Sequence, residues 1–274
     1  MNNTILMQTI NAAWEERDLL SQATVQKAIQ SVIASLDQGH IRVAEPTDAG
    51  WQVNEWIKKA VLLYFLIQDM EVVEAGSLKF YDKIPTKQDF KSLGVRVVPP
   101  AIARYGAYLC PGVVLMASYV NIGAYIGSNT MIDIGAAVGS CAQLGKNIHV
   151  SAGAAIGGVL EPIQAKPVII EDGVFIGAKC SIVEGVIVKQ EAVIGANVTL
   201  TASTKILDVT QPGEPKEFRG YIPERSVVIP GSYTKSFPAG DYQVPCALII
   251  GKRNSNTDLK VSLNEALREQ GMST

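Results

Sequence analysis

An aliphatic residue returns at every sixth position between residues 120 and 206, with a single interruption. Val120, Ile126, Ile132, Val138, Leu144, Val150 and Ile156 form one series, and Ile170, Ile176, Ile182, Val188, Ile194, Leu200 and Ile206 form a second. Two positions earlier the residue is usually small or β-branched, as at Ala124, Thr130, Ala136, Ala142, Cys180 and Ala192. Glycine often follows the aliphatic residue, at 127, 139, 145, 157, 177 and 195. Helices repeat every 3.6 residues and strands every two, so neither alone gives a period of six. The pattern predicts a parallel β-helix, mainly β, in which each hexapeptide is one flat side and the aliphatic and small residues both point inward. Glycine is expected to supply the tight corner. Stacked coils then bury a continuous column that no single coil could bury alone.

The interruption, Gly157 to Pro167 (GGVLEPIQAKP), places Ile170 two positions late in the repeat counted from Ile156, and so predicts an outward loop. After Ile206 the repeat breaks for the segment 208–219, which carries Pro and Gly, and resumes near Ile222 and Val228. The first hundred residues read differently. Ile5 to Leu20 fits a helix. Val25, Ile29, Val32, Ile33 and Leu36 share one face of a second, with Thr24 as a cap and Gly39 as a stop. Trp56 to Ile67 fits a third, and short strands are expected at 41–44 and 51–53. Three units follow: an α-rich N-terminal domain over 1–93, the β-helix over 94–232, and a C-terminal extension over 233–274 with a strand at Ala247–Ile250 and a helix at Ser262–Gln270.

Composition narrows the function. With 18% charged and 47% hydrophobic residues the chain is expected to be globular. A net charge of −2 lacks the basic footprint of a nucleic-acid binder. The longest apolar run, Ala60–Ile67, is too short to span a bilayer, and the amino terminus lacks a secretory pattern. Cys110, Cys141, Cys180 and Cys246 form no CxxC pair, and Cys180 occupies an inward slot; a cytoplasmic protein with reduced thiols is expected.

Few residues carry chemistry. GSCAQLGKN at 139–147 misses the spacing of a phosphate loop and reads as coil corners. Two histidines, His40 and His149, cannot build a three-histidine metal site, and no metal is expected. His149, one before inward Val150, faces outward, either as a general base or as a surface imidazole with a local hydrogen bond. Asp133, after inward Ile132, is an isolated carboxylate in the run MIDIGAAVG, either a site residue or a corner bonded to backbone. Arg96, between Val95 and Val97, needs a carboxylate partner or a ligand. Glu184, in SIVEGV, falls on an exposed corner. Outward positions Tyr119, Tyr125, Asp133, Ala137 and Cys141 are together too apolar for a fully solvated surface, which predicts burial against another subunit.

The strings WIKKAVLL (56–63), RVVPPA (96–101), VLMASYVNIGAY (114–125), VGSCAQLGKNIH (138–149), GGVLEPIQA (157–165) and VEGVIV (183–188) closely resemble the tetrahydrodipicolinate N-succinyltransferases, across most of the chain. The resemblance implies a left-handed parallel β-helix, a homotrimer with active sites between subunits, and transfer of succinyl from succinyl-CoA to the amine of L-2-amino-6-oxoheptanedioate in diaminopimelate and lysine biosynthesis. Arg96 and Asp133 then bind substrate, with Asp133 also accepting the amine's proton. The family pattern has an acidic residue where this chain has Ser181, and Glu184 is the nearest substitute as a second catalytic group. No acyl-enzyme is needed. Charge and location suggest Lys205, Lys252, Arg253 and Lys260 for the CoA phosphates. The alternatives are an acetyl-CoA-dependent N-acetyltransferase on the same acceptor or on another amino acid or sugar, using His149 as base, and a non-catalytic β-helix scaffold.

Overall fold

From Arg96 to Val228 the chain of this computed structural model winds into a three-sided parallel coil. Residues 2–253 are described; Lys260 and the helix expected at 262–270 lie outside them. The first face stacks Arg96–Val98, Val114–Met116, Met131–Ile132, His149–Val150, Phe175–Ile176, Val193–Ile194 and the start of Ser226–Phe237. The second face begins with Ile102–Ala103 and ends with Thr199–Leu200, and the third begins with Tyr108–Leu109 and ends with Tyr221–Ile222. Each turn takes three hexapeptides, as from Met131 to its partner His149. Every inward aliphatic residue of the two series is buried, and one cluster runs the length of the column. The coil is left-handed.

The corners correct the expected role of glycine. The left-handed backbone falls three residues after the aliphatic one, at Asn129 (φ 58°), Asn147 (φ 57°) and Asn197 (φ 61°) among others, where asparagine tolerates it well. The glycines directly after the aliphatic residue have ordinary φ and answer a different demand. A Cβ on Gly177 would lie 2.5 Å from the amide nitrogen of Ala196 in the next coil. They are there because neighbouring turns pass too close for a side chain.

Two excursions leave the coil. Ile156 and Ile170 lie on consecutive sides rather than two sides apart, so the loop between them is eight residues longer than a plain corner. The second begins at Ile206. That residue is buried but is not on the third face; Ile206–Asp208 pairs instead with Gly240–Lys252 and Lys216–Phe218, and the coil resumes at Tyr221–Ile222 and Val227–Val228. Strand Ser226–Phe237 continues without a break past residue 232 into an antiparallel hairpin with Gly240–Lys252, so the boundary expected at 232/233 falls inside a strand.

Helix α1 (Asn3–Glu15) is capped by the Asn2 side chain and buries Leu6, Ile10 and Ala13. It stops at Glu16 instead of running to Leu20, and a 3-10 turn occupies Arg17–Ser21. Helix α2 (Ala23–Asp37) buries the five expected aliphatics, but Thr24 lies inside its first turn and Gln22 precedes it without a side-chain cap. Gly39 (φ 72°) ends it, with the His40 amide reaching back to Ser35 O. Helix α3 (Glu55–Ile67) completes the layer. Two hairpins accompany the helices, Ala44–Thr47 with Gly50–Val53, and Glu71–Ala75 with Leu78–Asp82. The second was unanticipated, although Gly76–Ser77 between apolar runs is a two-residue turn signal. The helices share a core with Ile122 and Cys141 at the corner between the second and third faces. Among the described residues no helix is long and apolar enough to cross a membrane.

Candidate active site

Ile132 is inward and fully buried, which turns Met131 outward, and Asp133 follows where the chain leaves the first face. The Asp133 amide donates to Val150 O at 2.9 Å, which locks the residue beneath the next coil. Its carboxylate Oδ1 accepts from the Ile134 amide at 2.7 Å. The other oxygen, Oδ2, lies 3.7 Å from Nε2 of His149. The two side chains are about 30% exposed, half-sunk in the surface. The two residues read from sequence as rival bases are therefore neighbours.

Arg96 pairs with Val114, which pairs with Met131, so the guanidinium stands on the same face two coils below. At roughly 4.8 Å per coil, about 10 Å separates the two levels. Arg96 is exposed, and no carboxylate among the described residues is within ion-pair distance of it. The structural ion pair that could have explained this arginine is absent there.

Glu184 is placed elsewhere. It occupies the corner between the second and third faces (φ 56°), whereas Asp133 occupies the corner between the first and second. Its Oε2 accepts from the Ala202 amide at 3.1 Å, which ties it to the next coil. Ser181, by contrast, stands on the second face in register with Ala155 and Ala137, on the side that Asp133 leads into. Within one chain Glu184 and Asp133 do not meet, and three residues of offset are enough to turn the substitute round a corner.

The candidate phosphate ligands also separate. Lys205 borders an open cleft of about 710 Å³ together with Arg219, Lys235, Ser203, Thr204 and Tyr233. Lys205 also lies 3.4 Å from Glu217, whose carboxyl is held below its usual range mainly by its hydrogen bond from Arg219. Arg219 and Lys235 fall outside the repeat: strand Lys216–Phe218, paired with Ile206–Asp208, brings Arg219 beside Lys205, and the hairpin strand Ser226–Phe237 brings Lys235. Lys252 instead donates to Glu224 O at 2.7 Å, and Arg253 to Gly173 O at 3.0 Å, fastening the end of the hairpin to a different corner.

A further buried cation supports the long loop. Lys58 on α3 is fully buried, and its ammonium donates to the carbonyls of Pro162, Ile163 and Ala165 at 3.2, 2.8 and 2.8 Å. Burial lowers its pKa. Three carbonyls match its three N–H donors, so WIKKAVLL and GGVLEPIQA are one structural unit.

Two family profiles match the chain: "Tetrahydrodipicolinate N-succinyltransferase N-terminal" over residues 5–67 and "Hexapeptide repeat of succinyl-transferase" over residues 167–202. The 2,3,4,5-tetrahydropyridine-2,6-dicarboxylate N-succinyltransferase of Acinetobacter baylyi is 51% identical over 252 residues, covering 90% of each chain. That of Sodalis glossinidius is 48% identical, covering 96% of this chain and 98% of its own. A Campylobacter jejuni crystal structure, described as a 2,3,4,5-tetrahydropyridine-2-carboxylate N-succinyltransferase, shares the fold with a TM-score of 0.54 at 16% identity. The match covers 81% of this chain and 62% of that one. With identity near one half along almost its whole length, and the same hexapeptide coil, the chain belongs to the 2,3,4,5-tetrahydropyridine-2,6-dicarboxylate N-succinyltransferase family.

Proposed function

We propose that the chain transfers succinyl from succinyl-CoA to the amine of L-2-amino-6-oxoheptanedioate, the acyclic form that tetrahydrodipicolinate takes after hydration and ring opening. The observation that carries this reading is a guanidinium without a carboxylate partner among the described residues, on one side of the coil with a half-buried carboxylate. The acceptor's amine-bearing carbon and its far carboxyl carbon are five bonds apart, about 6 Å when extended. The Arg96 side chain spans the remainder and grips the carboxylate through charge-assisted hydrogen bonds.

Asp133 pairs with the substrate ammonium and takes one proton, because a protonated amine has no lone pair. The freed nitrogen attacks the thioester carbonyl, a C–N bond forms, and the tetrahedral adduct collapses with loss of the C–S bond. The nitrogen gives up its second proton in that collapse. One of the two protons leaves on the CoA thiol and the other goes to solvent. The cysteines take no part, and proton transfer is assigned to Asp133 alone rather than shared with Glu184. The cleft of Lys205, Arg219 and Lys235 receives the CoA phosphates, and three copies assemble with their sites in the clefts between coils, in the cytoplasm.

The test is the donor. With the same acceptor, kcat/KM should be far higher for succinyl-CoA than for acetyl-CoA, since acetyl leaves the carboxylate's partner unsatisfied. An acetyl-CoA value equal to or above the succinyl-CoA value replaces this reading with acetylation.

A further inference from the structure

His149 stands directly above Met131 and below Phe175 on the outer surface of the first face. Phe175 is buried and meets the imidazole edge-on, with ring centroids 5.3 Å apart. Nε2 of His149 is buried without a hydrogen-bond partner among the described residues. Buried polar nitrogens are nearly always partnered. The acidic group at hand is Asp133 Oδ2, 3.7 Å away.

We infer that His149 is a positioning residue for Asp133: its Nε2–H donates to Oδ2 while the Ile134 amide holds Oδ1. The inference rests on the assignment of Asp133 as the group that receives the ammonium. At 3.7 Å the pair is looser than a hydrogen bond, and closing it takes about 0.8 Å of movement. Such contacts commonly tighten only when substrate binds. Clamped from both sides, the carboxylate is held in one orientation, and its rotation is no longer free. The same geometry separates His149 from the role of base. An Nε2 that carries a proton toward Asp133 has no lone pair there for a substrate amine.

Two variants and one spectrum test this. His149→Phe keeps the ring shape and removes the donor; His149→Gln replaces a donor near Nε2. An orienting partner behind a reacting group is commonly worth roughly 10- to 100-fold, so the Phe variant should lose about that in kcat, with KM for succinyl-CoA unchanged and most of the loss recovered in the Gln variant. The chain has two histidines, so in wild-type protein the ring nitrogens of His149 can be assigned by nitrogen NMR against His149→Gln. The Nε2–H tautomer is expected, and this reading stands even if the Phe variant does not fold. An Nδ1–H tautomer with bare Nε2 overturns the inference. So does a folded Phe variant with normal kcat while Asp133→Asn is crippled, and so does loss of activity in both His149 variants as complete as in Asp133→Asn, which makes His149 the base. If Asp133→Asn itself turns over normally, the assignment of Asp133 fails, and the inference with it.

Discussion

A side-chain amide in place of the Asp133 carboxylate can still accept from the Ile134 amide, so Asp133→Asn should keep the local fold while losing charge and basicity. Turnover is expected to fall ~100- to 10,000-fold with CoA binding retained, measured by steady-state kinetics and CoA titration. Arg96→Lys should raise KM for the acceptor more than it lowers kcat, because an ammonium cannot reproduce a bidentate grip. The thiols give a different residue-scale test. Burial pushes Cys141 up to about 12 and Cys180 to about 11, against an ordinary 9.0. Since the folded values lie above the unfolded ones, the stability these thiols contribute is complete below pH 9 and declines as pH climbs toward 12. Denaturant midpoints should therefore drop across that alkaline range, and a flat profile would contradict the burial. A lone carboxylate in an apolar run marked Asp133 in the sequence as either a site residue or a corner bonded to backbone, and the Ile134 amide does bond to it. Its contact with His149 was not legible. A period of six gives the length of a side but not the number of sides, and only a turn of three sides stacks Met131 and Asp133 against the strand of His149.

At the scale of elements, the same ambiguity explains the loop after Ile156, which read as a slip of two residues and is an excursion of eight. What holds that excursion is Lys58, which no local pattern near the loop could reveal, because the partners lie about a hundred residues apart. Lys58→Met preserves the apolar stem and strands three carbonyls. The expected cost is about 3 kcal/mol, read as a lower melting temperature, with faster amide exchange confined to residues 158–166. Unchanged exchange there would remove Lys58 as the loop's anchor. Helix α2 and the coil were readable because their inward faces follow a single period. The early end of α1 was not: Arg17 folds back over Trp14, 4.1 Å from its ring, and donates to Ala13 O, contacts that periodicity does not encode.

For the whole molecule, part of the apolar outer surface that suggested a partner is covered by the chain itself. Cys141 is fully buried beneath the helices, and Tyr125 lies under Arg42, 3.6 Å from its ring. Other positions are not covered: Ile134, beside Asp133, is 59% exposed, and Tyr119 and Ala137 are half-buried. Light scattering at micromolar concentration is expected to give three times 29.4 kDa; a monomer that retains full activity would refute sites shared between subunits. The stacked coil also acts as a ruler. The strands of Arg96 and of Met131–Ile132, just before Asp133, are rungs of one ladder, so the backbone spacing between them is set by the coil rather than by a loop. It changes only by adding or removing a whole turn, in increments of roughly 4.8 Å. With Arg96 and Asp133 holding the two ends of the acceptor as proposed above, acceptor length would be selected in discrete steps of about four carbon–carbon bonds.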